Sequence, residues 1–350
     1  MVTAAAQTVT ADRVRHFAEQ VLERAGMSRE DAQIVADALA WADLRGITAQ
    51  GIGKLPLIID RIRAGGTKAD AQVTVAAETT SFARLDAHRA WGHVAGVHAM
   101  RLAIRKAKAA GVGAVVVGQT DSGSAMGYYA ELATRERLVG LAINDGTPLM
   151  PPHGGTTRVV GNQAFAIAAP GGRHPPLLFD SALSGISWTQ IEELRDRGEP
   201  LPAGLALDQS GRPTTDHATA IAGLLLPMGE HRGFGLALMW EVLTGVLSGN
   251  ERFASTITPL AKLDQPQSVA HFYLAIDPSV AMPYDEFTSR VDTLIDQVHA
   301  SPPAAGVARI FVPGEQGYAT AARRESAGIA VAHERATALE KLGASVGVPW

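Results

Sequence analysis

Apolar positions recur at helical spacing near the start of the chain. Val14, Phe17, Ala18, Val21 and Leu22 share one face, and Gly26 ends the run. Ser28 with Asp31 three residues on has the form of a capping box, which predicts a second helix through Ile34, Ala38 and Trp41 to Gly46. A third helix is predicted over about Lys54–Ala64, stopped by Gly65-Gly66, and a fourth, rich in alanine, over His93–Ala110. The period then changes. Ala114-Val115-Val116-Val117 suits a buried strand, followed by a loop and a helix over Met126–Arg137. Short strand-like runs come next at Val139–Ile143, Phe165–Ala169 and Leu177–Phe179. Phe234–Leu247 reads as a helix with a wide apolar surface. Beyond it are predicted a strand at His271–Ile276, a helix at Asp285–His299, a strand at Val307–Val312 and a helical tail. The alternation predicts an α/β middle, with the helical N- and C-terminal segments packing together.

Composition narrows the function classes. The 350 residues allow two domains, and 46% hydrophobic content is ample for a buried core. With 31 basic against 35 acidic residues and no basic block, nucleic acid and anionic membrane are poor partners. The absence of cysteine excludes disulfides, thiolate nucleophiles, Fe–S clusters and Cys-ligated zinc. Met1–Thr10 is small and polar and is followed at once by Asp12 and Arg13, so no signal-peptide core is read there. No apolar stretch is long enough to span a bilayer. The expectation is a cytoplasmic protein. His93 and His98 do not have the spacing of a metal pair, and no metal is expected.

The familiar nucleotide motifs are missing. Gly111-Val112-Gly113 and Gly233-Phe234-Gly235 each lack the third glycine of a dinucleotide fingerprint. Two loops remain as ligand cradles. In Pro151–Thr157, the glycines around His153-Gly154-Gly155 let backbone N–H groups approach a phosphate. In Pro227–Gly233, Arg232 stands near a helix N-terminus, where its forked donors suit a phosphate. Each loop alone is also readable as a simple turn.

Taken in order, the pieces resemble the malate/L-lactate dehydrogenase-like family, over about Ala11–Ala344. The resemblance is carried by Asp43-Leu44-Arg45-Gly46 with Gly51 and Leu55-Pro56, Met126–Ala130, Pro151–Gly155, Gly161 with Ala166-Ile167-Ala168, and Phe179-Asp180. It continues through Leu207-Asp208, Pro213–Asp216, Pro227–Met239, Glu241-Val242-Leu243, Leu247-Ser248-Gly249 and Val312–Glu315. It implies a non-Rossmann, mixed-sheet nicotinamide-binding domain at 76–282. A helical dimerisation domain would be built from 1–75 with 283–350, in a homodimer whose two-fold lies near Thr10–Gly46 and Asp285–His299. It further implies NAD(P)H as cofactor and a small-molecule substrate, with cofactor contacts from His153, Gly154, Gly155, Asp180, Ser181, Ala182, His231, Arg232, Gly314 and Glu315.

The chain departs from the family where protons are handled. Ala49-Gln50-Gly51 stands for the usual Ser-His-Gly, Ile47 for a second histidine, and Asp121-Ser122-Gly123 for a stretch containing a third. The usual lysine is Arg232. The catalytic candidates are therefore Gln50, Ser122 and Asp180. Gln50 donates hydrogen bonds but is no acid, and reads first as a polar wall that holds a carboxylate or amide. Ser122 offers a hydroxyl or is a small filler; Asp121 reads as a cap for the next helix. Asp180 ends an apolar run, where a carboxylate needs partners, and serves either the cofactor or the strand end. His153 is the one imidazole placed to stand in for those lost, and Arg158, Arg173 and Arg232 are candidates for a 2′-phosphate. Two functional readings stay open. One is a reductase of a cyclic imine carboxylate or a 2-oxo acid, with altered proton delivery. The other is a non-redox descendant that reuses the pocket in a biosynthetic pathway.

Overall fold

The computed structural model describes residues 7–350; Met1–Ala6, read above as small and polar, lie outside the described residues. Strand β1 (Gln7–Val9) leads into α1 (Ala11–Arg24) and α2 (Arg29–Leu44), capped by Thr10 and Ser28, whose side chains accept N–H groups of Arg13 and Asp31. The five apolar positions read in α1 are all buried. Helix α3 (Leu55–Ala64) carries Pro56 in its first turn and ends at left-handed Gly65. Then follow β2 (Thr74–Glu78), β3 (Phe82–Asp86), α4 (Gly92–Ala110), β4 (Val112–Thr120), α5 (Met126–Arg135), β5 (Val139–Asn144), β6 (Phe165–Ala169) and β7 (Leu177–Ser181). The segment after β7 holds α6 (Trp188–Asp196), β8 (Ala206–Leu207), α7 (His217–Ala222) and β9 (Leu224–Leu225). Helix α8 (His231–Glu241) runs into a π-helical turn at Val242–Val246. The chain closes with β10 (Val269–Ile276), α9 (Tyr284–Ala300), α10 (Glu315–Ala327), β11 (Ile329–Val331) and α11 (His333–Val346).

Seven strands form one mixed sheet in the order β2-β3-β4-β10-β5-β6-β7. Only β3 and β4 run parallel; the other neighbours are antiparallel. Strand alternation sorts its side chains into two cores. Val115 and Val117 join the cluster beneath α4 and α5, whereas Val116, Ile143, Phe165 and Phe272 join the cluster beneath α8. The chain ends meet through β1 and β11, with Val9 opposite Ile329, and Trp350 packs edge-on against Phe17.

Two expectations fail. Val307–Val312 is not a strand: it crosses the surface with Val307 and Phe311 exposed. Its neighbour Pro313 accepts one hydrogen bond from Leu178 at the β7 edge but, having no N–H, returns none, so no ladder starts. Asp121 does not cap α5, whose N-cap is Ala125; it is buried four residues earlier beside Arg61. His299, in the last turn of α9, pairs with Glu315 at 2.9 Å.

Candidate active site

A cleft of about 630 Å³ opens between the turn after α2 and the end of β7, lined by Ala49, Gln50, Ser124, Asp180, Ser181, Ala182 and Met228 among others. A second, of about 420 Å³, is lined by His153, Gly154, Gly155, Thr156, Pro227 and Glu230. The Pro227–Glu230 turn borders both, and the Met228 N–H donates to Leu183 O, tying it to the chain just beyond Ala182.

Gln50 ends a single 3-10 turn, Thr48–Gln50. The turn is fastened from below by Asp43, buried on α2, whose carboxylate accepts the Ile52 N–H at 2.7 Å. A Cβ at Gly51 would collide with that carboxylate, so the glycine is what lets the turn seat. Burial raises the Asp43 pKa to about 6, partly offset by the Ile52 hydrogen bond and the charges of Arg335 and Arg324. The side-chain carbonyl oxygen of Gln50 is buried with no hydrogen-bond partner.

Asp180 lies near the end of β7, paired with Ala166 of β6. Its Oδ2 accepts the Gly127 N–H at 2.8 Å, in the first turn of α5, where the helix end favours negative charge. Burial nonetheless raises its pKa to about 7. A Cβ at 127 would approach the same oxygen to 2.8 Å and Trp41 to 3.0 Å, which explains the glycine.

Ser122 does not line the cleft. Its N–H donates to Gln267 Oε1 and its Oγ accepts the Ser124 N–H, so it serves to shape its own loop. The hydroxyl bordering the cleft belongs to Ser124, held in the left-handed region at φ 64°. Lys54 Nζ lies 3.1 Å from Ser124 Oγ, and burial lowers its pKa to about 8. Sequence reasoning missed both. The signal was there in Lys54, four residues beyond Gln50 and one before α3, but a lone lysine at a helix entry reads as surface.

Two imidazoles adjoin this loop, and both are locked. His93 Nδ1 accepts the Trp91 indole N–H at 2.7 Å; burial first, then the charges of Lys54 and His271, lower its pKa to about 3. His271 Nε2 donates to Asp121 O and its Nδ1 accepts the Tyr273 hydroxyl, each at 3.0 Å, and burial lowers it to about 4. Beneath them Asp121 pairs with fully buried Arg61 at 2.9 Å and accepts the Thr67 hydroxyl.

The second cleft is of a different kind. Its glycine loop and the α8 start meet at His153 and His231, whose rings lie 5.9 Å apart. No side chain caps α8, and exposed Arg232 in its first turn makes no ion pair among the described residues. Arg158 is engaged by the carbonyls of Ala222 and Gly223, and Arg173 by Asp292 and Asp296, which leaves Arg232 as the open cation of the three. Gly314 and Glu315 border neither cleft; Glu315 is held by Arg309, His299 and the Val312 N–H at the start of α10.

The model of the family described as malate/L-lactate dehydrogenase matches residues 9–340. Malate dehydrogenase of Pyrococcus horikoshii is 33% identical over 350 residues, which cover 97% of this chain and 96% of that protein. The solved sulfolactate dehydrogenase from Methanocaldococcus jannaschii superposes with a TM-score of 0.92 at 31% identity, covering 98% of both chains. The solved delta1-piperideine-2-carboxylate reductase from Pseudomonas syringae pvar. tomato gives 0.86 at 28% identity, covering 96% of this chain and 99% of that one.

Proposed function

The chain belongs to the malate/L-lactate dehydrogenase family, and from that premise we propose that it reduces a small cyclic imine carboxylate, with a 2-oxo acid as the competing substrate class. Relatives in this family are named for both NAD(+) and NADP(+). The residues present fit such a dinucleotide. The uncapped α8 start, Arg232 and the His153-Gly154-Gly155 loop offer N–H donors and positive charge to the phosphates, with Asp180, Ser181 and Ala182 toward the reacting end. A bound reduced nicotinamide supplies the hydride.

The observation that favours an imine is the unpartnered Gln50 oxygen beside a cleft whose neighbouring imidazoles are neutral. A buried carbonyl oxygen without a donor costs about 1–3 kcal/mol, and a substrate iminium N–H brought to Gln50 would satisfy it. Iminium reduction also ends at a neutral nitrogen, which demands less of the site than an alkoxide does.

The test is turnover of pyrroline- and piperideine-2-carboxylate against pyruvate and oxaloacetate with NADH and NADPH. Faster turnover of the cyclic imines is expected; selective turnover of the 2-oxo acids would reverse the assignment. We also place the protein in the cytoplasm, with metabolic dehydrogenases, and infer a homodimer. Its supporting feature is the exposed apolar row Leu238, Met239, Val242, Val246 and Leu247 along α8 and its π turn, since the apolar face of α1 is buried within the protomer. Light scattering should give about twice 36.7 kDa, and Met239→Asp with Val246→Asp should give the monomer.

A further inference from the structure

Resting on the reductase reading, we propose that the proton gained by the substrate comes from the Ser124 hydroxyl, reloaded by the Lys54 ammonium behind it. Ser124 is then a catalytic residue, and Lys54, acting through it, a positioning and proton-supplying one. Ser124 borders the cleft and Lys54 Nζ is 3.1 Å from its Oγ. The hydroxyl is held in place by a strained and pinned loop. Ser124 has φ 64°, Gly123 O accepts the Tyr129 hydroxyl at 2.7 Å, and the Gly123 N–H donates to Asn144 Oδ1 at 2.9 Å. A non-glycine residue kept in the left-handed region beside a cleft is the kind of strain found at working sites.

The neighbours of Lys54 leave it as the local acid. His93 on α4 and His271 on β10 are neutral, each with a ring nitrogen already accepting a hydrogen bond. Asp121 is paired with Arg61, Asp43 holds the Ile52 N–H, and Arg335 packs on Gly53. Asp180 borders the same cleft and is the rival donor. No carboxylate pairs with Lys54 among the described residues, so nothing pins its proton, and burial brings its pKa to about 8. The step balances. Ser124 Oγ–H passes its proton to the neutral imine nitrogen, giving the iminium that the hydride reduces, or to the oxygen of a 2-oxo acid, and takes one from Lys54 Nζ. The hydride forms the new C–H bond, the C=N or C=O π pair goes to the heteroatom, NAD(P)H is oxidised to NAD(P)+, and neutral Lys54 regains a proton from water.

The reaction needs Lys54 protonated, so kcat for reduction should be full below about pH 8 and fall as pH rises through it. Lys54→Arg keeps a positive charge but cannot release a proton in this range. It should lower kcat by about 10²-fold and abolish the alkaline limb. A Lys54→Arg protein that keeps both rate and limb, or an Asp180→Asn protein that loses the limb while Lys54→Arg keeps it, would overturn the proposal. A second readout does not depend on turnover: pH-dependent acetylation of the wild-type protein, mapped by peptide mass spectrometry. Half-labelling of Lys54 near pH 8 is expected, and an ordinary lysine value of about 10.4 would overturn the proposal. Wild-type protein that reduces none of these substrates defeats the reductase reading itself. An active wild type with an unaffected Lys54→Arg variant defeats the proton source alone.

Discussion

The two clefts share the Pro227–Glu230 turn but are built on opposite principles. Around Gln50, Ser124 and Asp180 the titratable groups are enclosed and shifted: Asp180 rises to about 7, Lys54 falls to about 8, and His93 and His271 stay neutral. Around His153, His231 and Arg232 the side chains stand in solvent on glycine-rich loops with an open helix start. Burial tunes proton affinity; exposure keeps a charge fixed and available. The first arrangement suits proton handling at a reacting atom, the second suits grip on a polyanion.

The sharpest break in this contrast comes at the buried side. Asp121→Ala leaves Arg61 enclosed without its counter-charge, although the carbonyls of Leu260, Lys262 and Gln265 still accept from it. Breaking a buried pair from one side costs about 3–5 kcal/mol, so urea unfolding should show a loss of that order. A loss under about 1 kcal/mol would mean that the neighbouring carbonyls, and not the ion pair, hold this floor in place.

Next in size is a change of chemistry. Gln50→His with Ala49→Ser places an imidazole on the turn that Asp43 seats. Reduction of 2-oxo acids should rise by about 10²–10⁴-fold, the usual worth of a positioned acid. A variant that binds NAD(P)H yet gains nothing would show that the cleft has been reshaped beyond its one missing side chain.

These residues also show how far the chain could be read without coordinates. Periodicity found α1, α2, α4 and β4 because each buries a strongly patterned face. It missed β2, whose five residues are all exposed, and invented a strand at Val307–Val312, where the apolar pattern exists but Pro313 has no N–H to return to β7. At the site, the family pattern points to Gln50, Asp180 and the His153 loop, all of which line one or other cleft. The pattern points to Ser122, whereas the hydroxyl that borders the cleft is that of Ser124; register within a loop depends on which backbone N–H groups find partners, and those partners, Gln267 and Asn144, are more than twenty residues away. Lys54 was invisible for a related reason: its low pKa is made by burial alone, and nothing near it in sequence announces that burial.

On the exposed side, Arg232→Ala should weaken dinucleotide binding by about 1.5–3 kcal/mol, as for a charged hydrogen bond. Tryptophan fluorescence quenching by NADH and NADPH measures it directly. A larger loss for NADPH than for NADH would assign the guanidinium to a 2′-phosphate; no loss for either would reduce the α8 start to an ordinary turn.

The smallest effect lies on the turn common to both clefts. Glu230 occupies φ 57°, ψ −121°, a region that side chains avoid, at the N-cap of α8, with no side-chain hydrogen bond to the helix. Such strain costs about 1–3 kcal/mol, and part of the relief on Glu230→Gly is returned as glycine's greater freedom in the unfolded chain. A net gain of about 1 kcal/mol in stability is expected by thermal melting. If the strain holds His231 and Arg232 at their place on the α8 start, the same variant should bind the dinucleotide more weakly despite folding more stably. Opposite signs in the two measurements would show that the exposed cleft, like the buried one at Ser124, is held by backbone strain. A variant that is both more stable and tighter-binding would leave the strain at Ser124 without a counterpart in the exposed cleft, and the contrast between the clefts would then extend from their charges to their backbones.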